Sequence, residues 1–242
     1  MLMDSGALAE RLTRWIRYQV VAAGGKGVVF GLSGGLDSAV VAALAKRAFP
    51  KASLGVIMPC YSDAQDAAHA RLVAQRLSLP VREIVLDQIY DVLLEALKQA
   101  DQNEPELLAA ANLKPRLRMI TLYYFAAQRG YLVIGSTNKS ELTVGYFTKH
   151  GDVGDILPLG NLVKRQVVDL ARHLKLPDEI INKPPSAGLW PGQTDEAEMG
   201  LSYDDLDCFI LSGQASSKAA RRILDLKQRS KHKRIPSLRP DF

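Results

Sequence analysis

The chain has little cysteine and no long apolar run, and both shortages exclude classes of protein. Cys60 and Cys208 are its two cysteines, and their wide separation argues against a disulfide framework or a zinc knuckle. No apolar run approaches the roughly 20 residues that cross a bilayer. Asp4 and Glu10 interrupt the N-terminal stretch, so we expect no signal peptide. These absences favour a reducing, cytoplasmic compartment and no membrane partner.

Acidic residues are fewer than basic ones, and the excess is unevenly placed. The 242 residues include 31 Lys or Arg and 26 Asp or Glu, which gives a net charge of +5. The basic segment, residues 216–242, could face nucleic acid, an acidic membrane surface or an anionic small molecule, or could be a solvated helix face. Its basic residues include Arg221, Arg222, Lys227, Arg229, Lys231, Lys233, Arg234 and Arg239. The length predicts one large domain, residues 1–242.

Apolar strands alternate with helical segments along the first half of the chain. The patterns predict a first helix over 5–23 and then strands at 27–31, 53–58, 81–86 and 131–135 with helices between them. Pro115 is expected to divide the last of these helices. Such alternation requires right-handed parallel crossovers. It predicts a doubly wound, mostly parallel α/β sheet flanked by helices, with ligands beyond the carboxyl ends of the strands.

A loop rich in glycine and serine joins the first strand to an alanine-rich helix. Its two adjacent glycines let several backbone N–H groups and the positive end of the helix dipole face one anion. The serines add hydroxyl donors, and the acid suits a divalent cation placed between itself and a phosphate. An ordinary helix cap would explain one of these residues but not the whole set. The loop is Gly31, Leu32, Ser33, Gly34, Gly35, Leu36, Asp37 and Ser38.

The spacing in this loop separates it from two commoner phosphate-binding patterns. A Walker A loop needs Gly-Lys followed by Ser or Thr, and a dinucleotide fingerprint needs G-x-G-x-x-G; neither is present. Residues 33–38 instead resemble the SGGxDS signature of the ATP pyrophosphatase superfamily. Members of that superfamily bind ATP there and release pyrophosphate while AMP passes to a substrate oxygen. The signature does not identify the substrate.

Three further motifs narrow the resemblance. Residues 138–141 (Asn-Lys-Ser-Glu) follow a strand, so Glu141 could share Mg²⁺ with Asp37 or complete a capping box with Asn138. With the loop and residues 145–152 and 185–190, they are similar to the ammonia-dependent NAD⁺ synthetases, over residues 31–233. The resemblance implies an adenine nucleotide alpha hydrolase-like fold and a homodimer. It also implies adenylation of deamido-NAD⁺ by ATP, then attack by ammonia to give NAD⁺, AMP and pyrophosphate.

The resemblance also implies roles for individual residues. ATP would be held by residues 31–38 together with Ser136, Lys164 and Ser186, and Mg²⁺ by Asp37 and Glu141. Deamido-NAD⁺ would contact Arg116, Lys149, Asp155, His232 and Lys233, and Asp152 would position or deprotonate ammonia. Ser136 departs from the threonine of many relatives but keeps the hydroxyl. Without the resemblance, Lys164 would be interpreted as an exposed lysine at the start of a helix.

An irregular stretch rich in proline and glycine, residues 183–195, is predicted to be a mobile loop that closes over ATP. Closure would protect an acyl adenylate from water. The rival hypotheses are a GMP synthetase-like or tRNA-modifying ligase with the same loop, and a non-catalytic nucleotide-binding protein. A role for His232 and Lys233 in dinucleotide binding makes nucleic acid the lesser candidate partner. The chain has no room for an amidohydrolase domain, so free ammonia is the expected nitrogen source, with a separate glutaminase subunit as the alternative.

Overall fold

The centre of the molecule is a parallel sheet of four short strands. The computed structural model describes residues 4–101, 103–190, 192–237 and 239–241. The strands are β1 (Gly27–Gly31), β2 (Ser53–Ile57), β3 (Val81–Glu83) and β4 (Tyr131–Ile134). Their order is β3-β2-β1-β4, and all neighbours are parallel. The chain therefore builds outward from β1 first to one side and then to the other. This is the predicted doubly wound sheet, with its topological switch point between β1 and β4.

Helices connect and flank these strands. The predicted first helix is present, and β3 is shorter than the stretch 81–86 that the pattern indicated. The described helices are α1 (Ser5–Ala22), α2 (Leu36–Ala48), α3 (Ala64–Arg76), α4 (Asp87–Asp101), α5 (Leu107–Ala111), α6 (Leu113–Arg129), α7 (Lys139–Val144), α8 (Lys164–His173), α9 (Asp178–Ile181), α10 (Asp195–Met199), α11 (Tyr203–Ser212), α12 (Ser217–Arg229) and α13 (Lys231–Arg234).

Helices cover both faces of the sheet. Successive residues of β1 point to opposite faces, so the strand contributes side chains to a core on each side. Val28 and Phe30 belong to a core shared with α1, α2 and α8. Val29 belongs to a second core shared with α4 and α6. All three side chains are fully buried. An apolar run without polar alternation is typical of a parallel strand buried on both faces.

Pro115 does not divide the helix as expected. The break falls at Asn112, between α5 and α6, and Pro115 is the third residue of α6. In the first turn of a helix the backbone N–H has no intrahelical partner, so proline removes nothing there. The helical stretch is therefore divided three residues before the proline.

Two findings concern the cysteines and the helices of the described residues. Cys60 is buried and Cys208 partly buried, and neither forms a disulfide. Within the ranges that the structure covers, no helix combines the length and apolar character needed to cross a bilayer. The first of these findings agrees with the spacing of the two cysteines in the sequence.

A third, smaller core joins the basic segment to the rest of the molecule. It brings together residues of α7, α10, α11 and α12, including Val144, Leu206 and Ile223. The hydroxyl of Ser230 donates to the carbonyl of Val144 at 3.0 Å. The Nζ of Lys233 donates to the carbonyls that follow α7, at 2.8 and 3.0 Å. The first part of the basic segment is therefore packed on the fold, with its apolar side chains inward.

Two adjacent residues of α12 test this packing. Ile223 is fully buried, whereas Leu224 is 54% exposed. We expect Ile223→Ala to lower the free energy of unfolding by about 2–5 kcal/mol, because it leaves a cavity in the third core. Leu224→Ala should change it by no more than about 0.5 kcal/mol. Urea unfolding measures both variants, and equally small losses would show that α12 is not docked.

Candidate active site

The loop between β1 and α2 is held in shape by its own residues. Gly34 has a φ of +77°, and a Cβ there would lie 2.2 Å from the carbonyl oxygen of Asp66. The N–H of Ser33 donates to Ser38 Oγ at 3.2 Å, and that hydroxyl donates to the carbonyl of Gly35 at 2.9 Å. The two serine hydroxyls, expected as donors to phosphate, also bond to each other at 3.0 Å. They brace the turn in which the glycines lie.

The N-terminus of α2 opens toward the space above the sheet. Gly35 occupies the N-cap position and offers no side-chain cap. The first helical hydrogen bond runs from the N–H of Ala39 to the carbonyl of Gly35, at 3.1 Å. The N–H groups of residues 36–38 therefore precede the helical pattern. Free N–H groups at the positive end of a helix dipole form an anion site.

A cavity of about 430 Å³ lies at the carboxyl ends of β1, β2 and β4. Most residues that the sequence predicted for ATP and Mg²⁺ border it. They are residues 31–33 and 35–38, Ser136, Glu141, Lys164 and Ser186, together with Asp152 and Lys233. The structure thus brings distant segments of the chain to one space, as the switch point of a doubly wound sheet predicts.

Several predicted dinucleotide contacts lie outside the lining of this cavity. Arg116 Nε donates to the carbonyl of Lys149 at 3.4 Å, and Lys149 Nζ donates to the carbonyl of His232 at 2.9 Å. These residues form a basic cluster beside Lys233. Asp155 lies apart from it, where its carboxylate accepts the N–H of Val133 at 2.7 Å and the hydroxyl of Tyr123 at 2.8 Å. Gly34 is likewise not part of the lining.

Lys164 and Asp37 form an ion pair at the edge of the cavity. The Lys164 side chain is only 9% exposed, so the alternative of an exposed lysine is wrong. Its ammonium also lies 5.2 Å from the ring centroid of Tyr203. Burial disfavours the charged form, but Asp37 and Glu141 together outweigh it and raise the pKa of Lys164. The nitrogen therefore carries a fixed positive charge beside the phosphate loop.

Glu141 forms the capping box that the sequence left open, and its metal role remains a prediction. Its carboxylate accepts the N–H of Asn138 at 3.0 Å, and its own N–H donates to Asn138 Oδ1 at 3.0 Å, which is a capping box. It also borders the cavity, and Asn138 Nδ2 donates to Asp37 Oδ1 at 3.0 Å. Burial and the nearby Asp37 carboxylate raise the pKa of Glu141 to about 8. A divalent cation between two such carboxylates would favour the ionised form of both.

The oxygen atoms at and near the carboxylates of Asp37 and Glu141 suit Mg²⁺. Among the described residues, no three His, Cys, Asp or Glu side chains lie close enough to form a complete metal site. Mg²⁺ needs no such group, because it commonly binds one or two carboxylates together with substrate phosphates and water. Asp195 adds a buried Oδ1 atom without a partner. Its Oδ2 accepts the hydroxyl of Tyr203 at 2.9 Å, and that hydroxyl lies 3.5 Å from Glu141.

Two further charged residues, Asp152 and Arg118, border the cavity. Asp152 accepts the N–H of Thr148 at 2.6 Å; burial raises the pKa of Asp152, while Thr148 and Arg118 oppose the shift. Arg118, which no motif in the sequence predicted as a site residue, donates to the carbonyl of Met58 at 3.1 Å and to Ser62 Oγ at 3.2 Å. The one sequence feature that could have identified Arg118 is an arginine among the buried positions of a helix. That pattern is too common to predict a site residue.

Residues 183–190 lie across the phosphate loop. Lys183 Nζ is 2.5 Å from Asp66 Oδ1 in α3 and 3.4 Å from the carbonyl of Gly34. Further along, Lys114 of α6 donates to the carbonyl of Leu189 at 2.7 Å. The segment is therefore held at two points, by Asp66 of α3 and by Lys114 of α6. Neither Lys183 nor Lys114 was predicted from the sequence as a site residue.

Fold and site together define a class of protein. A doubly wound parallel sheet, a strained glycine turn and an uncapped helix N-terminus at the switch point are the features of an α/β nucleotide-binding protein. Lys164 and the two carboxylates add charges of the kinds that suit polyphosphate and metal ions.

Comparison with known proteins identifies the family. The family model described as NAD synthase matches residues 8–237, and the chain belongs to this family. The NH(3)-dependent NAD(+) synthetase of Carboxydothermus hydrogenoformans is 52% identical over 231 residues, 95% of either chain. The family expected from the motifs is thereby confirmed. Membership also removes the GMP synthetase-like and tRNA-modifying alternatives.

Two solved structures share the whole fold. An NMN synthetase from Francisella tularensis has a TM-score of 0.93 and 39% identity, with all of both chains covered. An NH3-dependent NAD synthetase from Campylobacter jejuni has a TM-score of 0.82 and 28% identity, covering 98% of this chain and 100% of its own. The predicted α/β fold is confirmed, and the roles of single residues remain predictions.

The turn in the phosphate loop can be tested against a glycine elsewhere that has the same left-handed backbone but more room around it. Gly34 and Gly130 both have a left-handed backbone, but Gly130 ends α6 beside Lys26. Alanine at either position carries a strain of about 1–2 kcal/mol. We expect Gly34→Ala to weaken ATP binding by roughly tenfold, the equivalent of about 1.4 kcal/mol. Calorimetric titration should find the ATP affinity of Gly130→Ala unchanged; an equal loss in both variants would contradict the prediction.

Proposed function

We propose that this chain is an ammonia-dependent NAD⁺ synthetase, a ligase that uses ATP to convert the nicotinate carboxylate of deamido-NAD⁺ into the amide. One observation carries the proposal. The uncapped N-terminus of α2, the ammonium of Lys164 and the carboxylates of Asp37 and Glu141 all border one cavity. Membership in the NAD synthase family supports it.

Adenylation is the step that the phosphate loop serves. A carboxylate is a poor electrophile and must be activated before ammonia can attack it. In the activation step its oxygen attacks the α-phosphorus of ATP, and pyrophosphate leaves. Negative charge shifts onto the departing oxygens, where the N–H groups of residues 36–38 and the Lys164 ammonium stabilise it. Asp37 and Glu141 would hold Mg²⁺, which when bound neutralises phosphate charge. The Asp37–Lys164 pair keeps the ammonium fixed before ATP arrives.

Amidation follows at the acyl adenylate. The nitrogen of ammonia attacks the acyl carbon, the bond to the AMP oxygen breaks, and one proton leaves the nitrogen. Asp152 borders the cavity and would orient the ammonia or accept that proton. Its raised pKa, caused by burial, brings it closer to the working range of a general base. The carbonyl of Asp152 also accepts Thr137 Oγ1 at 3.3 Å, which ties this loop to the end of β4.

The dinucleotide would lie along the basic cluster. Arg116, Lys149 and Lys233 present the cationic surface that a pyrophosphate group requires, and His232 contributes the carbonyl that anchors Lys149. Arg116, His232 and Asp155 are exposed. A second copy of the chain covering them would complete the dinucleotide site, so we propose a homodimer with substrate sites at the subunit interface.

We propose that residues 183–195 act as the lid over ATP. Ser186 borders the cavity, and the ion pair of Lys183 with Asp66 draws the segment onto the phosphate loop. Excluding water there would protect the acyl adenylate from hydrolysis. The bond from Lys114 to the Leu189 carbonyl provides the second attachment.

The Francisella tularensis structure favours a second candidate. That protein is described as an NMN synthetase, and it matches the full length of this chain with a TM-score of 0.93. In this alternative the acyl substrate is nicotinate mononucleotide and the product is NMN. Both reactions use ATP and ammonia on the same carboxylate, so the phosphate loop serves either. The difference lies in whether an adenylate group extends from the substrate onto the basic cluster.

One assay separates these functions. Purified protein is incubated with ATP, Mg²⁺ and ammonia, and with deamido-NAD⁺ or nicotinate mononucleotide at equal concentration. We expect NAD⁺ with stoichiometric AMP and pyrophosphate, and a higher kcat/KM for the dinucleotide. A higher value for the mononucleotide would establish the second candidate. If neither substrate is converted into an amide, the remaining hypothesis is that the chain is a non-catalytic nucleotide-binding protein.

The metal role of Asp37 gives a second prediction. We expect Asp37→Asn to lower kcat by roughly 100-fold or more, as loss of a charge-positioning group does. Asp169→Asn on the exposed face of α8 is the control, with unchanged kcat. Removal of Mg²⁺ by EDTA should abolish wild-type turnover, and added Mg²⁺ should restore it. Full activity in the chelator would contradict the assignment.

A further inference from the structure

The helix that carries Lys164 takes only one capping bond from its own sequence, in which Gln166 Oε1 accepts the N–H of Val163 at 3.0 Å. Val163 occupies the N-cap position of α8, and its side chain makes no capping hydrogen bond. The first N–H groups of a helix have no intrahelical partner, and burying them without an acceptor costs free energy. Lys164 is buried. The N–H groups in the first turn of α8 therefore need an acceptor from another element.

Asp207 of α11 is that acceptor. Its Oδ1 accepts the N–H of Lys164 at 3.3 Å, and its Oδ2 accepts the N–H of Arg165 at 2.8 Å. Asp207 is only 1% exposed, so both bonds form away from water, where they are strongest. A carboxylate is also the charge that a helix N-terminus favours. One side chain of α11 thus caps α8.

Ser140 extends the same junction to α7. Its hydroxyl donates to Asp207 Oδ1 at 2.5 Å and accepts the N–H of Lys164 at 3.1 Å. Ser140 is fully buried and directly precedes Glu141. A single buried carboxylate therefore joins the first turns of two helices that each place a charged residue at the cavity.

The same face of α11 holds the other end of Lys164. Tyr203 and Asp207 are four residues apart, which places them on one side of the helix. The Tyr203 ring lies under the ammonium at 5.2 Å, while Asp207 binds the backbone of the same lysine. With both ends held, the side chain has little freedom except to meet Asp37.

We propose that Asp207 is a positioning residue for the reaction, which fixes the first turn of α8 so that Lys164 presents its ammonium to the phosphates of ATP. The proposal rests on the proposed function, in which Lys164 contacts ATP. Asp207 itself touches no substrate and acts through Lys164. Nothing in the sequence distinguishes Asp207 from the neighbouring Asp204 and Asp205.

ATP affinity, measured by calorimetric titration of the full chain, tests the proposal without an acyl substrate or turnover. Asp207→Asn keeps the shape of the side chain but replaces one carboxylate oxygen by an NH₂ group. This group donates hydrogen bonds, yet it would face backbone N–H groups that also donate. We expect roughly tenfold weaker ATP binding, the scale of effect that a displaced positioning group produces. Asp204→Asn, an exposed neighbour on α11, is the matched control and should leave the affinity unchanged.

A Lys164→Met background distinguishes positioning from general damage to the fold. This variant keeps the N-terminus of α2 and should still bind ATP measurably. If Asp207 acts through Lys164, then Asp207→Asn weakens ATP binding no further once Lys164 is replaced, whereas independent effects would add. A second tenfold loss in the double variant would overturn the proposal, as would wild-type affinity in Asp207→Asn alone.

Ser140→Ala provides a milder variant if Asp207→Asn fails to fold. It removes one of the three hydrogen bonds to the carboxylate and should weaken ATP binding several-fold, again with no effect in the Lys164→Met background. An effect that persists in that background counts against the proposal. ATP binding without amide synthesis by the wild-type chain would refute the proposed reaction but leave the role of Asp207 intact.

Discussion

The ion pair between Asp37 and Lys164 is the interaction on which the site depends. It joins the first turn of α2 to the first turn of α8, two segments far apart in the chain. Both side chains are largely buried, and a buried charge is tolerated only when paired and hydrogen-bonded. Asn138 adds a hydrogen bond to Asp37. The pair therefore places the phosphate loop, α7 and α8 in one fixed arrangement.

Three helices begin at the cavity, and each contributes a residue of its first turn. Asp37 is the second residue of α2, Glu141 the third of α7 and Lys164 the first of α8. Their positive dipole ends converge with the ammonium on the space above the sheet, which favours a polyanion. The two carboxylates balance this positive charge, and in the proposed function they would hold Mg²⁺. The switch point between β1 and β4 makes this convergence possible.

Several residues serve the local structure and the site at once. Glu141 completes a capping box while its carboxylate borders the cavity. Ser33 and Ser38 brace the glycine turn that the phosphate would meet. In the basic segment, Lys233 binds the carbonyls after α7 and still reaches the cavity. A role as a cap or brace therefore does not argue against a role in binding, because both require a side chain held in one place.

Local patterns in the sequence determined the order of strands and helices up to β4, the glycine turn, and the capping box at residues 138–141. Each depends on residues close together in the chain, so spacing and backbone preference are enough. Tertiary structure alone decided that Lys164 is buried, that Arg118 borders the cavity and that Asp207 caps α8. These outcomes depend on contacts between residues tens of positions apart, and an aspartate that caps a distant helix looks in sequence like any other.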